Sequence, residues 1–111
     1  MQYDRKITIS AGSNRRAMTW QAQTMLISEL WARLQAPARG TETLAEYLNM
    51  KKAQQDDLKD VGGFMAGTLS GPRRKANNVT GRDVITLDLD NIPSGGTEDV
   101  LRRVEALGCG Y

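Results

Sequence analysis

Histidine is absent from the 111 residues, and cysteine occurs once, at Cys109. Without histidine there is no Cys/His zinc site and no Ser-His or Cys-His nucleophile, and a single cysteine excludes an intramolecular disulfide framework. No apolar run approaches the ~18 residues of a membrane span, and Met1 to Lys6 has no signal-peptide core. The expected location is therefore cytoplasmic, with no membrane partner. Neither Gly-x-x-x-x-Gly-Lys-Ser/Thr nor Gly-x-Gly-x-x-Gly is present, so Gly62, Gly63 and Gly67 read as turn and close-packing glycines rather than a phosphate loop.

What remains is ordinary for a globular chain: 40% hydrophobic and 25% charged residues. The length sets an upper limit of one domain, so residues 1–111 are read as a single domain or a fragment of one. The net charge of +2 hides an asymmetry, with the first half (1–55) at +4 and the second (56–111) at −2. The tightest basic run, Arg73-Arg74-Lys75, nonetheless lies in the acidic half, so positive charge is local.

Arg5 to Ala11 alternates, is β-branched at Ile7, Thr8 and Ile9, and ends at Gly12, which predicts a strand and a turn. A second extended piece is expected around Trp20. Ser28 can cap a helix through Gln35, with Leu30, Trp31 and Leu34 as its apolar set, stopped by Pro37 and Gly40. Thr43 and Glu46 have capping-box spacing ahead of Leu44, Tyr47 and Leu48, and Lys52 to Asp60 reads as a separate polar helix. Phe64 to Leu69 predicts a strand interrupted by Gly67, and Ser70-Gly71-Pro72 a turn. Val84 to Asp90 is the clearest strand pattern in the chain. Thr97 is expected to cap a last helix, with Val100, Leu101, Val104 and Leu107 buried and Gly108 as its stop. The extended start at Cys109-Gly110-Tyr111 implies a further strand, and hence a truncated piece, with Cys109 as a small buried hydrophobe. Trp20, Trp31, Tyr47 and Phe64 are assigned to the core rather than to base stacking.

The chemistry concentrates on Asp88 and Asp90. In a strand, alternate side chains share a face, with backbone positions about 6.6 Å apart, so the two carboxylates can converge on one ion while Leu87 and Leu89 point into a core. Two adjacent carboxylates repel each other, and Mg²⁺ or Mn²⁺ removes that penalty. Two such ions suit phosphoryl or nucleotidyl transfer. An Asp-x-Asp is equally served by a bland arrangement, with Asp88 paired to Arg82 and Asp90 capping the next turn. Arg73, Arg74, Lys75, Asn77 and Asn78 lie between two predicted strands and could reach the same cleft, where Arg forks and Asn amides suit phosphates and bases. A solvated loop serves the same residues. Ser94-Gly95-Gly96 reads as a helix cap, because Glu98 and Asp99 would repel an anion there.

The run Leu58-Lys59-Asp60-Val61-Gly62-Gly63-Phe64, then Gly67, Arg73 to Val79, and Ile85-Thr86-Leu87-Asp88-Leu89-Asp90-Asn91 resembles the amino-terminal region of phage and prophage replication proteins of the virulence-associated protein E family. Trp20, Ser28-Glu29-Leu30 and Thr43 to Tyr47 extend the resemblance over residues 5–111. The front domain of that family is similar to archaeo-eukaryotic-type primase-polymerases. The resemblance implies an α+β fold, a partial primase-polymerase (RRM-like) unit consisting of the amino-terminal α/β part and the first catalytic strand and helix. It implies template-directed nucleotidyl transfer on single-stranded DNA from nucleoside triphosphates, ahead of a helicase domain. It gives Asp88 and Asp90 the metal-binding, catalytic role, and Arg73, Arg74, Lys75, Asn77 and Asn78 contact with template or nucleotide. The family's small-x-His motif and third carboxylate have no counterpart in these residues, so the fragment is expected to be inactive alone. An open sheet edge would favour a homo-oligomer. Two other readings stand beside it. One is a haloacid-dehalogenase-like phosphatase, with Asp88 as nucleophile and Asp90 as acid/base, although Asn91 and Ile92 depart from that motif. The other is a non-catalytic nucleic-acid-binding module.

Overall fold

A computed structural model describes residues 4–108 of the chain. The expectations placed on Cys109-Gly110-Tyr111 lie outside the described residues.

The architecture is mixed α/β, with two small antiparallel sheets and four short helices among the described residues. Strand β1 (Lys6–Gly12) lies at the centre of a three-stranded sheet, between β2 (Gln21–Leu26) and β3 (Gly63–Met65). The β1–β2 register sets Thr8 opposite Thr24, and their hydroxyls meet at 3.1 Å, a cross-strand polar pair. β3 covers only Ser10 to Gly12. A separate two-stranded ribbon joins β4 (Thr68–Leu69) to β5 (Val79–Gly81).

The alternation of β1 explains the core. Ile7 and Ile9 are buried together with Leu30 of helix α1 (Ile27–Gln35), and Met25, Ile27, Phe64 and Val84 pack around them. Ser10, on the opposite face of the strand, is also buried, and its hydroxyl donates to the Gly67 carbonyl at 2.8 Å. That bond fastens the link between β3 and β4 onto β1.

Helices α2 (Leu44–Asn49) and α3 (Lys52–Lys59) follow the expected boundaries. The Thr43 capping box is formed, with Glu46 N–H donating to Thr43 Oγ1 at 3.2 Å and Thr43 N–H to Glu46 Oε2 at 2.6 Å. At α1 the expected Ser28 cap is replaced. Leu26 holds the N-cap position, its N–H donates to Glu29, and Ser28 instead donates from both backbone and hydroxyl to Asp4. At α4 (Thr97–Glu105) the cap is Gly96 rather than Thr97. Gly108 closes it in the left-handed region at φ 66°, where glycine avoids the Cβ clash.

Three helix faces are less buried than their patterns predict. Trp31 and Leu34 on α1, Leu44 and Leu48 on α2, Leu101 on α4 and Leu107 just past its end are exposed, while Val100 and Val104 are half-buried. An apolar stripe specifies which face seeks a partner; burial follows only where another layer lies opposite, and among the described residues none covers these faces.

Candidate functional site

The segment carrying the aspartates leaves β5 at the uncovered end of β1. There the Asp83 carboxylate accepts the Thr8 N–H at 2.7 Å, and its carbonyl accepts from Arg5 at 3.0 Å. Asp83 thus serves a β1 donor beyond the reach of β3. Val84 packs half-buried against the core, and residues 85–90 then form neither strand nor helix. The strand expected over 84–90 is not formed among the described residues. Ile85 is 85% exposed, Leu87 66% and Leu89 51%, so the apolar side expected in the core faces outward. A period of two shows that a segment can bury one face in a sheet, but a strand exists only through a neighbour's ladder. Here the β1 edge is already occupied by β3 and Asp83.

Asn91 then turns the chain at φ 57°, a left-handed conformation that asparagine tolerates. Residues 88–93 and α4 together line an open cleft of about 480 Å³. Asp88, Asp90 and Asp99 all line it, with Val100 and Arg103 on the helix side. Asp99 is already engaged, with one oxygen 3.0 Å from Arg103 Nε and the other 3.8 Å from Arg102. Neither Asp88 nor Asp90 makes an ion pair among the described residues, and Arg82 is not seated on Asp88. No group of three or more His, Cys, Asp or Glu with metal-holding geometry occurs among the described residues. The cleft therefore carries two carboxylates, Asp88 and Asp90, that no ion pair occupies among the described residues.

The basic loop lies elsewhere. Arg73, Arg74 and Lys75 line a shallow pocket of about 180 Å³ with Arg15, Met18 and Trp20, and it shares no residue with the aspartate cleft. The expectation that loop and aspartates meet in one cleft is therefore corrected: a turn of 3-10 helix over Ala76–Asn78 and the short ribbon hold the loop beside the start of β2. Asn78 is structural there, donating from Nδ2 to the Arg73 carbonyl at 3.1 Å, while Asn77 is exposed. Trp20 is buried, as its core assignment requires, yet the Arg74 guanidinium lies over its ring at 4.7 Å. Sequence reasoning missed Arg15 and Met18. Their signal, Arg15-Arg16 in a turn after a strand, carries no hint of a loop nearly sixty residues away.

The family model for the VapE N-terminal domain matches residues 1–111. The chain belongs to that family. The VapE domain matches no curated protein and no solved structure at a significant level. No helix among its described residues is long and apolar enough to cross a membrane. Membership of a phage or prophage VapE protein agrees with the order of motifs from Leu58 to Asn91.

Proposed function

We propose that this VapE domain forms part of a metal-dependent primase-polymerase, working on single-stranded DNA with nucleoside triphosphates and a helicase domain in the whole protein. The observation that carries this reading is the pair of uncommitted carboxylates, Asp88 and Asp90, on the wall of one cleft in a member of this family. Asp88 and Asp90 would hold Mg²⁺ or Mn²⁺, which when bound supplies charge stabilisation at the transferring phosphate. The chain's own contribution is positional. Asp83 anchors the segment to β1, Asn91 reverses it, and α4 backs the cleft with Asp99 held off by Arg103. The exposed alternation of Ile85, Leu87 and Leu89 is suited to join a larger RRM-like sheet, the fold this reading requires.

In the whole protein, Asp88→Ala and Asp90→Ala are expected to abolish manganese- or magnesium-dependent primer synthesis on a single-stranded template, at least ~10²-fold below wild type. Undiminished synthesis by Asp88→Ala refutes the assignment.

The formed basic pocket favours a second reading, a non-catalytic DNA-binding module in which the aspartates are structural. DNA binding that weakens with salt, ignores EDTA and accompanies no synthesis selects it. Nothing in the geometry favours the phosphatase reading.

A further inference from the structure

The pocket beside Trp20 has the features of a prepared anion seat. Gly12 leaves room beneath the indole, since a Cβ there would lie 2.6 Å from the ring. Trp20 Nε1–H donates to the Ala17 carbonyl at 3.1 Å, and its backbone N–H to the Pro72 carbonyl at 2.7 Å. The ring is thereby fixed, and with it the approach of the following loop. Arg74 lies on this fixed ring, so part of the rotamer freedom an arginine loses on binding has been surrendered beforehand. The loop is braced by Lys75 N–H to Arg73 O at 3.0 Å, Asn78 N–H to Lys75 O at 3.0 Å and Ser70 N–H to Asn78 O at 2.8 Å.

Charge gives the sign of the ligand. Arg73, Arg74 and Lys75 are exposed, form no ion pair among the described residues, and no carboxylate lines the pocket. Arg15 differs, because Asp57 holds its guanidinium at 2.9 Å and Asp60 accepts its backbone N–H through both oxygens. It is a strut between the β1–β2 turn and α3 rather than a free cation.

Size and position separate two sources of phosphate. At about 180 Å³ the pocket is well below the ~300 Å³ at which sites that engulf a small molecule begin. It also shares no residue with the Asp88 and Asp90 cleft, where a triphosphate must react. We propose that this pocket seats a backbone phosphate of single-stranded DNA, gripped by Arg73, Arg74 and Lys75, with Trp20 as the positioning residue that holds Arg74 flat. The proposal rests on the reading that the protein acts on DNA, and it assigns the basic loop to the template rather than to the incoming nucleotide.

The test is fluorescence anisotropy of a fluorescein-labelled oligothymidylate with the full chain, in EDTA, across a salt series. Arg74→Gln is expected to weaken binding by about 10-fold, the loss of one charge-assisted contact, and to lower the slope of log K against log salt by about 0.7. Arg73→Gln and Lys75→Gln act in the same direction. Trp20→Phe retains a ring beneath Arg74 and most of the affinity, whereas Trp20→Leu loses as much as Arg74→Gln. Combining Trp20→Leu with Arg74→Gln adds nothing, which a merely structural tryptophan would not produce. Because Trp20→Leu could unfold the chain, Trp31→Phe supplies an independent measurement: Trp31 is 49% exposed, and in its absence the remaining Trp20 emission should shift when the oligonucleotide binds.

Competition by a free nucleoside triphosphate as strong as by the oligonucleotide overturns the template assignment. Equal binding of a methylphosphonate strand with a neutral backbone, or indifference to Arg74→Gln, overturns the phosphate seat, and tighter binding of duplex overturns its assignment to single-stranded DNA. A synthesising Asp88→Ala protein would instead refute the catalytic reading and leave the dependence of strand binding on Arg74 intact.

Discussion

Gly67→Ala tests the close approach of the β3–β4 link to β5. A Cβ at Gly67 would lie 2.9 Å from the Gly81 carbonyl carbon and 3.0 Å from Arg82 Cα, and closer still to the Gly81 oxygen. All three are backbone atoms, so no side chain can rotate aside. Ordinary carbon–carbon contact begins near ~3.5 Å, so the β4–β5 ribbon must move by ~0.5 Å or more. Such overpacking costs about 1–3 kcal/mol. The same shift strains the buried bond from Ser10 Oγ to the Gly67 carbonyl, which adds about 1–3 kcal/mol if that acceptor is left unpaired. The sum, roughly 2–6 kcal/mol, is a large share of the about 5–15 kcal/mol that holds a domain of this size. Urea unfolding followed by far-ultraviolet circular dichroism should show the midpoint lowered by about 2 M at a typical slope. Gly71→Ala is the matched control: no heavy atom lies within 4 Å of its Cβ, and the expected change is less than about 1 kcal/mol. If Gly67→Ala unfolds at the same urea concentration as Gly71→Ala, the two backbones do not approach as described and the pairing of β4 with β5 beside Gly67 is wrong.

Asp60→Ala should cost about 1–2 kcal/mol in the same assay, since it removes both acceptors from the Arg15 N–H; an unchanged midpoint would show that the turn does not depend on α3. Stability should also fall in acid. Hydrogen bonds from Ser28 hold Asp4 below its ordinary value, those from Thr43 do the same for Glu46, and Lys52 does so for Asp56. Each carboxylate contributes stability that is present above its unfolded pKa and is lost as pH falls through its lowered folded value, below pH ~4. Asp4→Asn should flatten that acid limb, and a titration with the same slope as wild type would remove Asp4 from the account. Thr43→Ala should speed amide exchange over residues 44–49 about fivefold, the loss of a cap of ~1 kcal/mol; unchanged exchange would mean that α2 is held by other contacts.

The elements legible from local pattern are those whose signals are local. β1 follows from its β-branched alternation, α2 from the Thr43 and Glu46 spacing, and α3 from a polar run bounded by Asp60 and Gly62. β5 was not legible, because Val79-Thr80-Gly81 is too short to show a period and exists through pairing with β4. The helix starts at Leu26 and Gly96 were also missed, since Ser28 and Thr97 are good capping residues that stand one position or more inside the helix. The candidate site was legible in its residue types and not in its arrangement. Asp88 and Asp90 could be singled out because carboxylates two apart in an apolar run are conspicuous, but their separation from Arg73 to Lys75 could not be inferred.

The amino-acid sequence by itself determined that these residues offer no histidine and no intramolecular disulfide, that Ile7 and Ile9 face a core, and where charge and carboxylates cluster. Those properties depend on residue identity and on the period of the backbone. Only the tertiary structure decided that Arg74 rests on Trp20, that Asp83 occupies the β1 edge, and that residues 85–90 run unpaired. Each of these depends on which distant segment reaches a given edge or face first, and that competition is settled by packing the whole chain rather than by any local pattern.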